Sequence, residues 1–253
     1  MTTRPIRLLH TSDVHIGGGF RTPDDGDHHD HCLCPLVVIE QQVKSHAVDL
    51  MLVVGDLFDH QRVSRELVDE VLGRLGRLGV PCVVIAGNHD VHDDRSIYVE
   101  GVAEEAGVIF IDDPEGDTVK LFDGALHLWG RSMPIHDRSF RPLRGLPPRP
   151  DPAAWWVVLG HGHLEHTEDD VYGRSSPVTP ADIEATGADY VALGHWHVRT
   201  DASTDNVVAW YSGAPYGVAA SHQMNLVDLH PVHGVVVSSV PVELPADGCR
   251  PPE

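Results

Sequence analysis

The sequence predicts an α/β protein built around a parallel β-sheet, and three observations carry this prediction. Three short apolar runs in the first hundred residues each end at a glycine or a polar residue. Two helical patterns separate these runs, which gives the order β-α-β-α-β. Strands that alternate with helices in this way pair in parallel. The second half instead carries short strands separated by turn residues, so further β-structure is expected there.

The first half gives the clearest elements. Strands are predicted at Ile6 to Thr11, Asp49 to Val54 and Val80 to Ala86, because each run is apolar and short. Helices are predicted at Pro35 to His46 and Ser64 to Leu78. The second helix is amphipathic, and its first residue is a serine, which can cap the helix.

The second half is predicted from shorter patterns. Strands are expected at Val108 to Ile111, Thr118 to Phe122, Leu126 to Gly130, Trp155 to Leu159 and Tyr190 to Leu193. A short helix fits Pro180 to Thr186, and the Pro- and Arg-rich stretch Arg141 to Pro152 is expected to be irregular. Three last strands, expected to form a closing meander, are Val207 to Tyr211, Met224 to Leu229 and Val235 to Val240.

Composition limits the class of protein. A chain of 253 residues with 42% hydrophobic residues is expected to be globular. Its apolar runs are too short to span a membrane, and the N-terminus has no signal segment, which predicts a cytoplasmic protein. Its four cysteines contain no C-x-x-C pair, so reduced thiols are expected. The net charge of −20 repels nucleic acid at long range and, taken alone, disfavours a DNA substrate.

Five short polar segments follow predicted strands. They are Ser12 to His15, Gly55 to Asp59, Gly87 to Asp90, Gly160 to His161 and Gly194 to His197. Because ligands of open α/β sheets bind at the carboxyl ends of the strands, the five segments are expected to meet at one rim.

These segments offer carboxylates, imidazoles and one amide as metal ligands. Such oxygen and nitrogen donors suit manganese, iron or zinc. Two ions ~3.5–4 Å apart would clamp an in-line displacement at phosphorus and generate hydroxide from water. The seven candidate ligands are Asp13, His15, Asp56, Asn88, His161, His195 and His197. Asp56 is expected to bridge the two ions, since it lies between the other ligand pairs.

Any single histidine is weak support for a metal site. The chain has 19 histidines, and an isolated D-x-H or G-H pair is more often structural. The ordered set of five segments, each after an apolar strand, is what predicts the site.

The order D-x-H, G-D, G-N-H-D, G-H and G-H-x-H resembles that of calcineurin-like metallophosphoesterases, over Asp13 to His197. The resemblance implies a four-layer αββα sandwich of two mixed β-sheets flanked by helices. It also implies two ligand sets that share Asp56. The first set adds Asp13, His15 and His197, and the second adds Asn88, His161 and His195.

The same resemblance implies a role for His89, which protonates the leaving oxygen or stabilises the transition state. Asp59 matches the carboxylate that orients this histidine, whereas Asp90 is equally consistent with a loop or cap residue. In the stretch LGHGHLEH, His161 fits the ligand position best because it directly follows the strand and a glycine. His163 stays open as an alternative ligand or a substrate contact.

The residues around the candidate ligands, in stretches such as LMLVVGDLFD and DYVALGHWH, are similar to those of the SbcD-like branch of DNA-repair exonucleases. That branch implies manganese-dependent cleavage of DNA and a DNA-repair ATPase or helicase as partner. Its members usually carry a DNA-capping domain and a segment that docks on an ATPase. We expect residues 1–253 to form a single metallophosphoesterase domain without a capping domain, similar to stand-alone phosphoesterases that cut single-stranded DNA.

Two further stretches have open roles. Arg131, Arg138, Arg141, Arg144 and Arg149 surround Phe140. They could contact phosphates while the ring stacks on a base, or they could form a solvated loop. We take Arg138, Arg141 and Arg144 as candidate substrate-binding residues. The segment 27–34, DHHDHCLC, could bind an extra metal or form a polar loop.

Two competing functions are weighed against a DNA nuclease. The first is a phosphodiesterase or phosphatase for small molecules such as cyclic nucleotides, which the acidic surface favours. The second is a non-catalytic scaffold, which the filled ligand positions and the presence of His89 disfavour.

Overall fold

The computed structural model describes residues 4–18, 33–165, 174–216 and 221–243. The helices in these ranges are α1 (Cys34–Ser45), α2 (Arg65–Gly76), α3 (Val102–Glu105) and α4 (Pro180–Ala185). The strands are β1 (Ile6–Thr11), β2 (Leu50–Val54), β3 (Cys82–Ile85), β4 (Ile109–Phe110), β5 (Asp117–Leu121), β6 (Leu126–Gly130), β7 (Trp155–His161), β8 (His163–Leu164), β9 (Pro177–Val178), β10 (Tyr190–Gly194), β11 (Thr200–Asp201), β12 (Val208–Tyr211), β13 (Gln223–His230) and β14 (Gly234–Pro241).

Two six-stranded sheets form the centre of the molecule. The first has the order β14-β13-β1-β2-β3-β4, and the second has the order β11-β12-β10-β7-β6-β5. Strands β1 to β4 run parallel, as do β6, β7, β10 and β12. The outer strands β5, β11, β13 and β14 pair antiparallel with their neighbours. Both sheets are therefore mixed, as predicted.

Alternating side chains explain the layers. On β1, Leu8 faces a core that includes Val157 of the second sheet, whereas Leu9 faces a core that includes Leu67 of α2. On the far side of the second sheet, Val158 packs in a third core with Ile183 of α4. Helices thus cover the outer faces of two sheets that pack on each other. This arrangement confirms the predicted four-layer αββα sandwich.

The predicted closing meander is wrong. Strand β12 pairs parallel with β10 in the second sheet, while β13 and β14 form a hairpin in the first. The apolar patterns locate these strands but carry no information on which sheet each one joins. The helix cap at Ser64 is as predicted, since its hydroxyl accepts a hydrogen bond from the backbone N–H of Leu67 at 3.2 Å.

The cysteines follow the sequence prediction only in part. Cys82 is a free thiol that is buried, and burial raises its pKa to about 12. Cys34 is disulfide-bonded, so the expectation of reduced thiols is wrong for this residue. The two longest described helices have 12 residues each, short of the ~20 that cross a bilayer, and no other described helix meets the requirement either.

Candidate metal centre

The five polar segments meet at one edge of the sandwich, as the sequence predicts. Three of them follow β1, β2 and β3 of the first sheet, and two lie at the ends of β7 and β10 of the second. The strands within each sheet are parallel neighbours, so their carboxyl ends share one rim. The packing of the two sheets brings the two rims together.

One group of ligand atoms is formed by Asp13, His15 and His197. The Nε2 atoms of the two histidines are 3.2 Å apart. The Asp13 Oδ1 atom lies 3.7 Å from His197 Nε2 and 4.0 Å from His15 Nε2. Two imidazole nitrogens and a carboxylate oxygen that all lie within 4.8 Å of one another can hold one metal ion.

A second group surrounds Asp56 and His161, and it again includes Asp13. His161 Nε2 lies 3.4 Å from Asp56 Oδ2, and that oxygen is also 4.0 Å from His15 Nε2. Asn88 Oδ1 extends the group, at 3.0 Å from His161 Nε2 and 2.8 Å from His195 Nδ1. Asp13 thus belongs to both groups, and Asp56 lies within 4.0 Å of His15 in the first group.

The carboxylate of Asp13 fits a cation. Asp13 is fully buried, and its Oδ2 atom accepts a hydrogen bond from the backbone N–H of His195 at 3.0 Å. Its Oδ1 atom is buried without any hydrogen-bond partner. A buried carboxylate oxygen without a donor is costly unless a positive charge compensates it. The side chains present thus fit divalent ions.

The two histidines of the second group carry different charges near pH 7, and His161 must lose a proton before it can bind a metal. The Nδ1–H of His161 donates to the Val54 carbonyl at 2.8 Å, which leaves Nε2 to face Asp56. Burial disfavours the charged ring of His161, yet the nearby Asp56 and Asp13 carboxylates raise its pKa to about 9. Burial and the positive charge of His161 lower the pKa of His195 to about 3. His195 is therefore neutral near pH 7, as a ligand must be.

Four of the candidate ligands have a backbone that non-glycine residues rarely adopt. The φ angles are 54° at Asp13, 53° at His15, 53° at Asp56 and 105° at His195. A positive φ costs an L-residue ~1–2 kcal/mol, and such residues concentrate at functional sites. The sequence patterns gave no sign of this strain.

Glycines beside the ligands allow their close approach. A Cβ atom on Gly55, whose φ is 81°, would lie 2.1 Å from His161 Nδ1. A Cβ atom on Gly87 would lie 2.2 Å from Asp56 Oδ1. The glycine before each of Asp56 and Asn88 therefore creates the space in which the second ligand group assembles.

His89 lies at the exposed edge of the site. Its side chain is 42% exposed, and its Nδ1–H donates to the backbone carbonyl of Asp59 at 2.7 Å. The Asp59 carboxylate is farther from that atom, at 3.4 Å, and lies 3.1 Å from His15 Nδ1. Asp59 therefore holds His89 chiefly through its main chain. His89 also forms a third group of ligand atoms with His15 and Asp56.

Asp90 has a structural role that sequence reasoning left open. It is buried and accepts hydrogen bonds from the Tyr98 hydroxyl at 2.7 Å and from four backbone N–H groups at 2.7–3.2 Å. Those N–H groups belong to Gly87, Asp56, Leu57 and Phe58. Burial and the nearby Asp56 raise the pKa of Asp90 to about 6. Asp90 thus joins the loop of Asp56 to the loop of Asn88. The available signal was an aspartate three residues after a glycine at a strand end.

His163 and His136 flank the second ligand group. Trp196 Nε1 donates to His163 Nδ1 at 3.3 Å, and the His163 ring centre is 6.0 Å from that of His195. Of His161 and His163, it is His161 that contacts Asp56. His136 is exposed, with its ring centre 6.3 Å from that of His195, and sequence reasoning missed it.

The arginine-rich stretch divides into structural and exposed residues. Arg149 forms hydrogen bonds to the Asp189 carboxylate, and Arg131 stacks over Phe140 at 5.1 Å. Phe140 is only 5% exposed, which argues against the alternative in which this ring stacks on a base.

The three candidate substrate-binding arginines differ in exposure. Arg138 and Arg144 are exposed, whereas Arg141 is half-buried, 4.0 Å from Asp182. Residues 27–32 of the His- and Cys-rich segment lie outside the described residues.

Comparison with known proteins places this site in a family context. Residues 6–199 match the family model of the calcineurin-like phosphoesterases. The chain is 27% identical over 226 residues to the DNA double-strand break repair protein Mre11 of Methanopyrus kandleri, covering 83% of this chain and 49% of that protein. It is 31% identical over 270 residues to the SbcD subunit of the nuclease SbcCD of Bacillus subtilis, covering 89% and 67%.

The fold has a counterpart among solved structures. The crystal structure of the protein TT1561 of Thermus thermophilus matches with a TM-score of 0.59 at 10% identity, covering 93% of this chain and 99% of that one. At this identity the match concerns the fold alone. The chain spans about half the length of the Mre11 protein that it resembles.

Proposed function

Since the chain belongs to the calcineurin-like phosphoesterase family, and is therefore a metal-dependent phosphoesterase, we propose that it hydrolyses phosphodiester bonds of single-stranded DNA with manganese. One observation carries the proposal. Seven side chains of metal-ligand type, brought together from five segments, lie around Asp13 and Asp56, and the exposed imidazole of His89 stands beside them.

The proposed ligand sets are those that the family resemblance implies, and the short distances among these side chains support them. Asp13, His15, Asp56 and His197 hold one ion, and Asp56, Asn88, His161 and His195 hold the other. Divalent ions bound there would polarise the phosphoryl group and supply the nucleophile from water. The oxygen and nitrogen donors suit manganese, and iron or zinc would also fit.

His89 is the proposed catalytic acid. Its Nδ1–H is occupied by the Asp59 carbonyl, so Nε2 is the atom that can deliver a proton to the leaving oxygen. The backbone N–H of His89 donates to Asp56 Oδ1 at 2.8 Å, which fixes its position relative to the ligands. Asp59 is proposed to orient His89, mainly through its carbonyl group.

DNA as substrate is supported by the relatives and by the exposure of the site. The relatives carry the names of a DNA double-strand break repair protein and a component of a nuclease. The exposed position of His89 leaves room for a strand to reach the site. Arg138, Arg141 and Arg144 are proposed to contact its phosphates. A DNA-repair ATPase or helicase is the proposed kind of partner, since the name SbcCD is that of a nuclease with more than one subunit.

A small phosphodiester, such as a cyclic nucleotide, is the second candidate substrate. The net charge of −20 favours it, because a surface of this sign repels a polyanion more strongly than a molecule with one charge.

A matrix of metals and substrates tests the proposal. Purified protein is incubated with manganese, zinc or magnesium and with a labelled single-stranded oligonucleotide, its duplex, a cyclic nucleotide or bis(nitrophenyl) phosphate. We expect cutting of the single strand that depends on manganese. Asp56→Ala protein from the same purification controls for a contaminating nuclease. Rapid hydrolysis of the small esters without cutting of any oligonucleotide would instead support a small phosphodiester as the substrate.

A further inference from the structure

An open cavity lies beside His89, between the loop that follows β2 and the loop that follows β3. Its volume is about 540 Å³. The residues that line it are Gln61, Arg62, His89, Val91 and Arg95, and we call it the arginine cavity. It is separate from the Pro- and Arg-rich stretch that contains Arg138.

The two arginines of this cavity are not engaged by carboxylates. Arg62 and Arg95 are exposed, and within the described ranges neither forms an ion pair. Arg65 and Arg74, a few residues along the chain, are instead paired with Asp69 and Glu40 at 2.7 Å. In a chain with a net charge of −20, these two guanidinium groups give one cavity a local positive charge.

The walls of the cavity are connected to each other. Gln61 Nε2 donates to the Val91 carbonyl at 2.8 Å, which ties the two loops together. The nearest acidic residues along the chain are Asp93 and Asp94, and Asp93 accepts a hydrogen bond from the backbone N–H of Arg95 at 2.8 Å. Asp93 and Asp94 line a neighbouring cavity rather than this one, and Arg95 borders both cavities. The five lining residues thus include two cations and no carboxylate.

The chemistry of the lining indicates an anion with several acceptor oxygens. Guanidinium groups form paired, charge-assisted hydrogen bonds with phosphate. His89, the proposed acid, lines the same cavity, so a group bound there lies on the side of the leaving oxygen.

We propose that the arginine cavity binds a second phosphate, one carried by the leaving group. This inference rests on the proposed function and names the substrate class more closely. A nucleic-acid strand has a phosphate on the nucleoside next to the cleaved bond, whereas a cyclic nucleotide or a simple ester has none. The cavity would therefore select strands over small esters, in spite of the repulsive net charge.

Dinucleotides isolate this contact. The thymidine dinucleotide TpT is compared with its 5′-phosphorylated and 3′-phosphorylated forms, in manganese at low salt. The wild-type protein is expected to cut one phosphorylated form with kcat/KM at least about tenfold above that of TpT, the effect of a charged hydrogen-bond pair. Which form is preferred also shows from which side of the phosphate the leaving oxygen departs.

Paired variants assign the preference to the cavity. In Arg62→Ala/Arg95→Ala protein, the ratio of kcat/KM between the phosphorylated and plain dinucleotides should fall to about one, mainly through KM. Arg77→Ala/Lys120→Ala protein is the matched control. It removes two exposed positive charges that lie outside the cavity, and it should keep the wild-type ratio. Melting temperature and bound metal, measured for both variants, exclude misfolding as the cause.

Three results would overturn the inference. The ratio could survive in the Arg62→Ala/Arg95→Ala protein, or it could vanish equally in the control. The wild type could also cut all three dinucleotides equally, which would reject the cavity but leave the proposed DNA cleavage standing. Failure of the proposed function looks different, because the wild type would then hydrolyse bis(nitrophenyl) phosphate and cut neither dinucleotides nor oligonucleotides.

Discussion

The buried centre and the exposed rim of the site are built in opposite ways. Asp13, Asp56 and His161 are at most 1% exposed. The two carboxylates accept hydrogen bonds from backbone N–H groups, and His161 donates one to the carbonyl of Val54 at the end of β2. His89 and His197 belong to the same site, yet 42% of each side chain is exposed. The centre can fix metal ions because its side chains have little freedom. The rim can contact a substrate because it is open. Substitutions at the centre should therefore reduce metal binding, whereas those at the rim should reduce turnover.

The largest effect is expected at the centre. Asp56→Ala should remove most of the bound metal and almost all activity, because both proposed ions lose a shared carboxylate. The loss should exceed the ~10²–10⁴-fold that acid–base catalysis alone contributes. Metal analysis by mass spectrometry measures occupancy, with Asp205→Ala as the control at an exposed aspartate. Full occupancy and activity in Asp56→Ala protein would reject the two-metal site.

At the rim, His89→Ala should keep its metals and lose ~10²–10⁴-fold in turnover of DNA. The contact with Asp56 survives, because it comes from the backbone N–H of residue 89. Nitrophenyl esters should be affected less, since their leaving group needs little protonation. An equal defect on both kinds of substrate would show that His89 is not the acid.

His197→Ala is the matched comparison for His89→Ala. Both side chains are 42% exposed, but His197 Nε2 lies 3.7 Å from Asp13 Oδ1 and 3.2 Å from His15 Nε2. This variant should lose metal, unlike His89→Ala. Equal metal content in the two variants would show that His197 is not a ligand and that it belongs with His89 at the exposed rim.

A smaller effect is expected in the arginine-rich stretch. Replacing Arg138, Arg141 and Arg144 with alanine should weaken cutting of single-stranded DNA and flatten its dependence on salt. Each lost phosphate contact removes ~0.7 from the log–log slope. Arg141 should contribute least, because it is half-buried near Asp182. The assay measures cleavage of DNA and of a nitrophenyl ester over a salt series. Equal losses on both substrates would show that these arginines stabilise the fold rather than bind DNA.

The smallest effect is expected for Asp59→Asn. The Asp59 carbonyl, which accepts the His89 Nδ1–H, is unchanged by this substitution. The loss in turnover should therefore stay below about tenfold, the lower end for outer partners of a functional imidazole. A defect as large as that of His89→Ala would show that the carboxylate, not the carbonyl, orients the ring.

The sequence predicted the meeting of five loops because parallel strands place their carboxyl ends on one edge. It did not predict the sheet that β12 joins, since an apolar alternation says nothing about the neighbouring strand. The role of Asp90 was also out of reach, because four of its five donors are backbone groups brought near by the turn. The arginine cavity depends on two loops that pack together 30 residues apart in the chain, as the contact of Gln61 with Val91 shows. Local patterns do not encode such packing.

The left-handed backbone at Asp13 and Asp56 lowers the stability of the metal-free fold, although the two carboxylates are the proposed metal ligands. Glycine adopts such a φ without the steric cost, and at position 13 it would also remove a buried oxygen that lacks a donor. Variants of this chain selected for heat resistance alone, in a medium with a chelator, would therefore tend to discard the aspartate at position 13. Selection with metal present would keep it, because a ligand that binds only the folded state adds to its stability. Metal supply during such a selection is thus expected to decide whether position 13 stays aspartate.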